Sequence, residues 1–419
     1  MNQTLNELRS QIESACHQGS VLRNPTNFYY VMKEYWPLGQ YMRKKFGWRS
    51  WYTFWFTKLF VGDEGGEYAF LNKLHQRFPS LLRRPYKIEL EHTTICNKKC
   101  IFCEHTHWQE KSTSIGLEQF RTIIDPLTKL KWIHITGEGS SFLNRDFVKM
   151  IEYSRARHLN VNFVDEFDFF DEDMARKVID LGINSIYISF DGATRETYEK
   201  IKKGCSYDKA LANIRYLLQL KAEMQSPFPV IHFRYIITTL NYQEMPDFIE
   251  LISTLPNRGA KARVEFVGLL TFPGIEQYYI PIDHIPEEII RKTYENVLKH
   301  KINLHFSHES SALPSMTQCC AWAEPYVLIG GEMISCCAII MSNHRHVLRE
   351  NSFGNVYEKS TSAIWDSKKY RDFRRMVVTD DGKVPISCNG CRAKDTKKRA
   401  DQYGIFDFNS DSQGNKCGS

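Results

Sequence analysis

The sequence predicts an α/β fold, and three observations carry that prediction. Between Tyr86 and Phe306, short β-branched runs alternate with amphipathic helical stretches. Before Tyr86 the chain reads as helical and aromatic. Beyond Ser307 the helical pattern thins and cysteines gather. The 419 residues suffice for two or three domains with a substantial core. The chain is 42% hydrophobic and 25% charged, with no apolar run of membrane-spanning length; collagen-like, disordered and transmembrane classes are therefore excluded. The charge balance, 55 − 49 = +6, is too mild to argue for nucleic acid by itself.

Residues 1–85 form an N-terminal extension. Asn2–Cys16 reads as one short helix. Trp36–Phe60 is dense in aromatics, with Arg43, Lys44, Lys45, Arg49 and Lys58 interleaved. Basic-plus-aromatic character fits a membrane surface or single-stranded nucleic acid. The plainer reading, which we favour, is a helical pair burying its aromatics against the next domain.

Residues 86–306 hold the strand candidates Lys87–Thr93, Trp132–Thr136, Val161–Val164, Ser185–Ser189, Ile231–Ile237, Arg263–Val267 and Asn303–Phe306. The helical stretches between them include Leu117–Leu127, Asp146–Arg157, Asp173–Leu181, Tyr207–Leu220 and Met245–Leu255. A unit of roughly 30 to 45 residues suits βα repeats in an open sheet or in a full or partial barrel. Residues 307–419 read as a smaller domain organised around metal, helical only near Ser362–Val378. Its polar tail, from Asp407, is expected to fray.

The chain has 12 cysteines. Its start, Met1-Asn2-Gln3-Thr4, lacks the basic region and apolar stretch of a signal peptide, so a cytoplasmic location is expected. Thiols there stay reduced, which favours metal binding over disulfides. Cys96, Cys100 and Cys103 give C-x3-C-x2-C directly after the first strand, where parallel α/β folds place their chemistry. Three clustered thiolates fit an iron–sulfur cubane with one iron left open to a small molecule. Structural zinc, with His92, His105 or His107 as a fourth ligand, is the alternative.

This motif resembles the signature of the radical S-adenosylmethionine (SAM) superfamily. The resemblance implies a partial (β/α)6 TIM-like barrel whose three cysteines ligate a [4Fe–4S] cluster. SAM would chelate the fourth iron and be cleaved reductively to a 5′-deoxyadenosyl radical, which abstracts hydrogen from substrate. A one-electron donor such as flavodoxin or ferredoxin would supply the electron. Thr136-Gly137-Glu138, ending the second strand, is similar to the family's Gly-Gly-Glu-Pro motif, whose carboxylate receives the SAM amino group. Gly139-Ser140 stands where the proline would be. Ser189 and Asp191, in Ser-Phe-Asp-Gly after the fourth strand, resemble an element near the SAM ribose and carboxylate. Arg234 resembles a position that pairs with that carboxylate, although it could equally form a barrel-wall ion pair. Phe102 matches a residue lying against adenine, and Val267 would close the adenine side. The third strand ends in Val164-Asp165-Glu166-Phe167 where many relatives have Thr-Asn-Gly; the resemblance makes that loop face the substrate, so an unusual substrate side is expected.

A second group comprises Cys320, Gly331, Cys336, then Gly354-Asn355-Val356, Ile364-Trp365 and Cys388-x2-Cys391. Four such cysteines suit either a complete [4Fe–4S] cluster or structural zinc. The whole pattern resembles the SPASM or shortened twitch extension of radical SAM enzymes. Only Cys417 follows Cys391, so one auxiliary [4Fe–4S] cluster is expected, with Cys319 and Cys337 able to exchange roles with their neighbours. Trp365 is expected in the core. Cys205 is expected to be an inert buried thiol, with hydrogen-atom return to a substrate radical as its functional alternative.

The expected activity is hydrogen abstraction from a small polar biosynthetic intermediate, leading to dehydrogenation, epimerisation or elimination. The helical N-terminus inclines the reading that way. The alternative is a ribosomal-peptide-modifying maturase. From another class, the chain could be a zinc-stabilised nucleic-acid binder.

Overall fold

The computed structural model describes residues 4–16, 25–58, 78, 84–107, 110–256, 263–270, 272, 274–307, 323–337, 340 and 345–378. Seven parallel strands follow one another across the sheet: β1 (Lys87–Glu91), β2 (Trp132–Thr136), β3 (Asn160–Asp165), β4 (Ser185–Ser189), β5 (Val230–Ile237), β6 (Arg263–Gly268) and β7 (Asn303–Ser307). Each of the seven expected strands is present. The first is shorter than expected because the chain leaves the sheet after Glu91. Thr94 N–H then donates to Thr113 O and Ile115 N–H to His92 O, docking the segment on residues 113–115.

Alternation explains the sheet. Ile88, Leu90, Ile133, Ile135, Val161, Phe163, Ile186 and Ile188 are buried in the main core. That core includes helices α4 (Leu117–Ile124), α5 (Phe147–Ala156), α6 (Glu172–Asp180) and α8 (Tyr207–Glu223), whose apolar stripes meet the sheet. The intervening strand residues point to the other face and are polar: Lys87, Glu89, His134, Asn162, Tyr187, His232, Arg234 and Glu265. They contact one another. His134 Nδ1 lies 3.4 Å from Glu89, its ring stacks on Tyr187, and Tyr187 meets His232 at 4.6 Å between centroids. This strip is the lumen of a partial barrel.

The N-terminal aromatics close the floor of that lumen, as the plainer reading expected. Helix α1 (Leu5–Cys16) packs on α10 (Glu287–His300) and β7. Helix α2 (Pro25–Phe56) bends at Gly47, whose φ of 80° is left-handed. Met42, Phe54 and Trp55 are buried with Phe228. Leu38, Phe54 and Thr57 face Trp132, Asn160, Ser185, Val230 and Arg263, which begin or nearly begin their strands. The space left between them is about 20 Å³, enough for roughly one water. Asn160 Nδ2 donates to Thr57 Oγ1 at 2.5 Å, tying the plug to β3. No helix among the described residues is long and apolar enough to cross a membrane.

The C-terminal region joins the same sheet. β8 (Tyr326–Val327) pairs in parallel with β1, and β9 (Met333–Ile334) returns antiparallel. Gly331, at φ 92°, makes the turn between them, and a Cβ there would lie 2.6 Å from the Tyr357 ring. This explains the glycine placed between Cys320 and Cys336. Helices α11 (Arg345–Glu350), α12 (Thr361–Trp365) and α13 (Lys368–Val378) follow, with Trp365 fully buried.

Phe54→Ala should destabilise the chain by about 3 kcal/mol, since it removes a buried ring packed edge-on against Phe228 and Trp55. A thermal midpoint equal to wild type, measured anaerobically, would show that the plug does not bear on the barrel.

Candidate active site

At the C-terminal ends of the strands lies the loop carrying Cys96, Cys100 and Cys103. It has almost no secondary structure, and two neighbours shape it. On one side Lys99 N–H donates to Lys203 O at 2.8 Å, Ile101 N–H to Ile201 O at 3.0 Å, and Lys98 Nζ to Gly204 O at 2.8 Å. Lys98 also pairs with buried Asp168. On the other side stands the turn after β2. A Cβ on Gly137 would lie 2.7 Å from Thr93 O, and one on Gly139 2.7 Å from Ile95 O. Only glycine permits that approach, and Gly137 also has a φ of 146°.

The three cysteines form no disulfide and are half-buried. Lys98 N–H donates to Cys96 Sγ at 3.4 Å. Burial pushes the Cys96 thiol up to about 11 and the Cys103 thiol well above its ordinary value; Cys100 adds to both shifts and Cys96 adds to that of Cys103. Cys100 moves the other way, down to about 7, because the Cys205 thiol donates to it. Three grouped, half-buried sulfurs with no disulfide among them fit an iron–sulfur cluster as donor set. Cys205 sits behind the cluster loop, against Cys100, and Cys205 itself is pushed up.

Glu138 accepts from Cys103 Sγ at 3.7 Å. Burial, then the charge of Glu91, raises its carboxyl to about 7. A carboxylate so placed, beside the cluster donors, fits an ammonium group. Thr136 O accepts from both His92 N–H and His92 Nδ1. Phe102 and Ile236 each pack against the cluster of Leu269, Phe272 and Ile275 that follows β6, and Val267 pairs in register with Ile236. Cys103 and Glu138 are thus in contact, at the end of the barrel where Phe102 also lies.

Ser189, Asp191 and Arg234 have partners within the protein. Lys202 Nζ contacts Ser189 Oγ at 2.8 Å and Asp191 at 3.1 Å. Asp191 also accepts from Ile236 N–H and is fully buried. Arg234 donates twice to Glu265 Oε2, at 3.1 and 3.0 Å, and lies over the Tyr187 ring. Cys336 follows β9 and packs against a small apolar cluster, while Cys337 hydrogen-bonds Glu89 at the lumen. Cys320, Cys388 and Cys391, with Cys319 and Cys417, lie outside the described residues.

Sequence reasoning missed three supports: Lys202, the Ser140–Glu166 hydrogen bond, and a buried ion network. Arg345 donates to both oxygens of Glu91 and also reaches Glu110, which Arg349 binds through two hydrogen bonds. Glu91 and Arg345 are 254 residues apart, so no local pattern announces the pair.

Residues 90–252 match the family model of the radical SAM superfamily, and residues 319–392 match SPASM, an iron–sulfur cluster-binding domain. The chain belongs to the radical SAM superfamily and carries a SPASM domain. SAM and a [4Fe–4S] cluster are its cofactors, with further iron–sulfur in the SPASM domain. Among curated relatives, the tungsten-containing aldehyde ferredoxin oxidoreductase cofactor-modifying protein of Pyrococcus furiosus is 26% identical, covering 73% of this chain and 87% of that protein. Mycofactocin maturase MftC of Mycobacterium tuberculosis is 26% identical over 43% of this chain, which spans 45% of MftC. Among solved structures, Streptococcus suis SuiB bound to S-adenosylmethionine matches with a TM-score of 0.56 and 12% identity, covering 72% of each chain. The structure of anSMEcpe with bound AdoMet matches at 0.53 and 14%, covering 76% of this radical SAM chain and 93% of the other.

Two outcomes test the site. Replacing Cys96, Cys100 and Cys103 together by Ala should lower iron by about four atoms per chain, leaving the SPASM iron in place. Arg345→Met should destabilise the protein by about 3 kcal/mol or more, because Glu91 stays buried without its cation; adding Glu91→Gln should recover most of that loss in the same unfolding measurement.

Proposed function

We propose that this radical SAM protein is a maturase that abstracts hydrogen from a peptide. The observation that carries the reading is the curated relatives' identity. The cofactor-modifying protein covers 73% of the chain, and mycofactocin maturase aligns over 43% of it. The fold neighbour SuiB has also been solved with its precursor peptide SuiA. The small polar intermediate drawn from the helical N-terminus gives way to the peptide alternative on this ground. The helices of that segment floor the barrel, so their helicity says nothing about substrate.

In this reading Cys96, Cys100 and Cys103 hold the SAM cluster. When reduced, that site supplies a 5′-deoxyadenosyl radical. Glu138 receives the SAM amino group, and Phe102 and Val267 flank the adenine. Ser189 lies nearby on its Lys202–Asp191 support. Arg234 reaches the SAM carboxylate by exchanging one of its bonds to Glu265. Cys320, Cys336, Cys388 and Cys391 hold one auxiliary [4Fe–4S] cluster, and flavodoxin or ferredoxin delivers the electron. Among the described residues the floor is plugged and β7 and β9 are not hydrogen-bonded to each other, which leaves the cluster end and that seam for entry. An extended peptide suits such an opening. The polar lumen, with Glu89, His134, Tyr187 and Arg234, then receives a polar side chain.

The test uses anaerobically reconstituted enzyme, reductant and candidate precursor peptides deuterated along the backbone and side chains. The expected result is peptide-stimulated release of 5′-deoxyadenosine carrying one deuterium, with a changed peptide mass. Stimulation by amino sugars or nucleosides but by no peptide would restore the small-molecule reading. A colourless protein with stoichiometric zinc would sink both.

A further inference from the structure

Two departures from the family pattern meet in one hydrogen bond. Gly139-Ser140 occupies the place of the motif proline after β2, and Asp165-Glu166-Phe167 occupies the place of Thr-Asn-Gly after β3. In the fold, Ser140 Oγ donates to Glu166 Oε1 at 2.8 Å. Ser140 N–H, which a proline could not offer, donates to Ile95 O at 3.0 Å, one residue before Cys96. Ser140 thereby fastens Glu166 to the root of the cluster loop.

The turn carrying Glu166 is built to aim it. Asp165 Oδ1 accepts from Phe167 N–H at 2.7 Å, and Phe167 takes a left-handed φ of 66°. That conformation is costly for an aromatic residue and persists only where the surroundings enforce it. They do: Phe167 is fully buried, stacks on Phe170 at 4.2 Å, and its carbonyl accepts from Asn213. Glu166 is left half-buried at the strand end, and its Oε2 takes no partner among the described residues. Its charge is felt by the thiols of Cys96 and Cys100 and by the ammonium of Lys98, whose own contacts are Asp168 and Gly204 O. A free carboxylate oxygen beside cluster thiols is unfavourable unless a cation comes to it. SAM, the cofactor of the adjoining cluster, carries both an ammonium and a sulfonium group.

We propose that Glu166, positioned by Ser140, is a second acidic contact for the cationic part of SAM, additional to Glu138. A rigid pair of carboxylates on the ends of β2 and β3 then grips the cofactor from two strands. This holds for any substrate, so it stands apart from the peptide reading.

The test needs no substrate. SAM affinity is measured by equilibrium dialysis on the reconstituted holoenzyme. It is measured again as the SAM concentration that changes the electron paramagnetic resonance signal of the reduced cluster. Glu166→Gln should keep the wild-type iron content and weaken SAM binding about tenfold in both readouts. Ser140→Ala should weaken it by a smaller factor. It should add nothing in the Glu166→Gln background, because a positioning residue has no effect once its target is gone. Glu166→Asp, which keeps the charge, should lie between Gln and wild type. Wild-type SAM affinity in Glu166→Gln overturns the proposal. Loss of the cluster in that variant also overturns it, by making Glu166 a support of the loop. Additive losses in the double variant overturn the role of Ser140.

Discussion

The cluster loop is the part on which everything else depends, because it must be irregular and rigid at once. Helix or strand would spend its geometry on its own ladder; here the loop must leave three sulfurs free. Its backbone groups still need partners. They find them in residues 201–204 on one side and in Thr113 and the turn after β2 on the other. The first of these supports is itself pinned, since Lys202 binds Ser189 and Asp191 at the end of β4. Ser-Phe-Asp-Gly thus helps to set the cluster loop as well as lying near it.

A second constraint links the two iron–sulfur regions. The SPASM segment is attached by strand pairing between β1 and β8 and by the Glu91–Arg345 pair, both within one turn of the cluster loop. A charge pair this deep is weak ground for net stability, because desolvation offsets most of its attraction. It is strong ground for register. Arg345 cannot shift without stranding Glu91, and Glu91 also accepts from Ile329 N–H just after β8. The described part of the SPASM segment is therefore held in place by the sheet.

Much of this was legible in the sequence, for physical reasons that can be named. Strings such as Lys87-Ile88-Glu89-Leu90-Glu91 and Trp132-Ile133-His134-Ile135-Thr136 alternate because one face meets helices and the other a polar lumen. The cysteine spacing was legible because its geometry is local. The supports were not, because they join distant segments: Ser140 to Glu166, Lys202 to Asp191, Arg345 to Glu91. Arg234 shows the limit from the other side. The resemblance points it at SAM, yet here it is held by Glu265, which the motif does not contain.

The lumen explains why a floor is needed at all. Its charges are mutually satisfied: Lys87 with Glu89 and Glu324, and Arg234 with Glu265. Such a surface receives polar groups without itself drawing a strong field. It would also admit water freely if open at both ends. Water is a poor hydrogen-atom donor, so what a floor limits is solvent competition for the lumen's polar groups and the entry of small C–H or S–H donors. Met42, Phe54 and Trp55 cover the N-terminal ends of the strands, leaving little more than one water's room below His232. The buried aromatics among the described residues of the N-terminal extension are therefore accounted for by packing against the barrel floor.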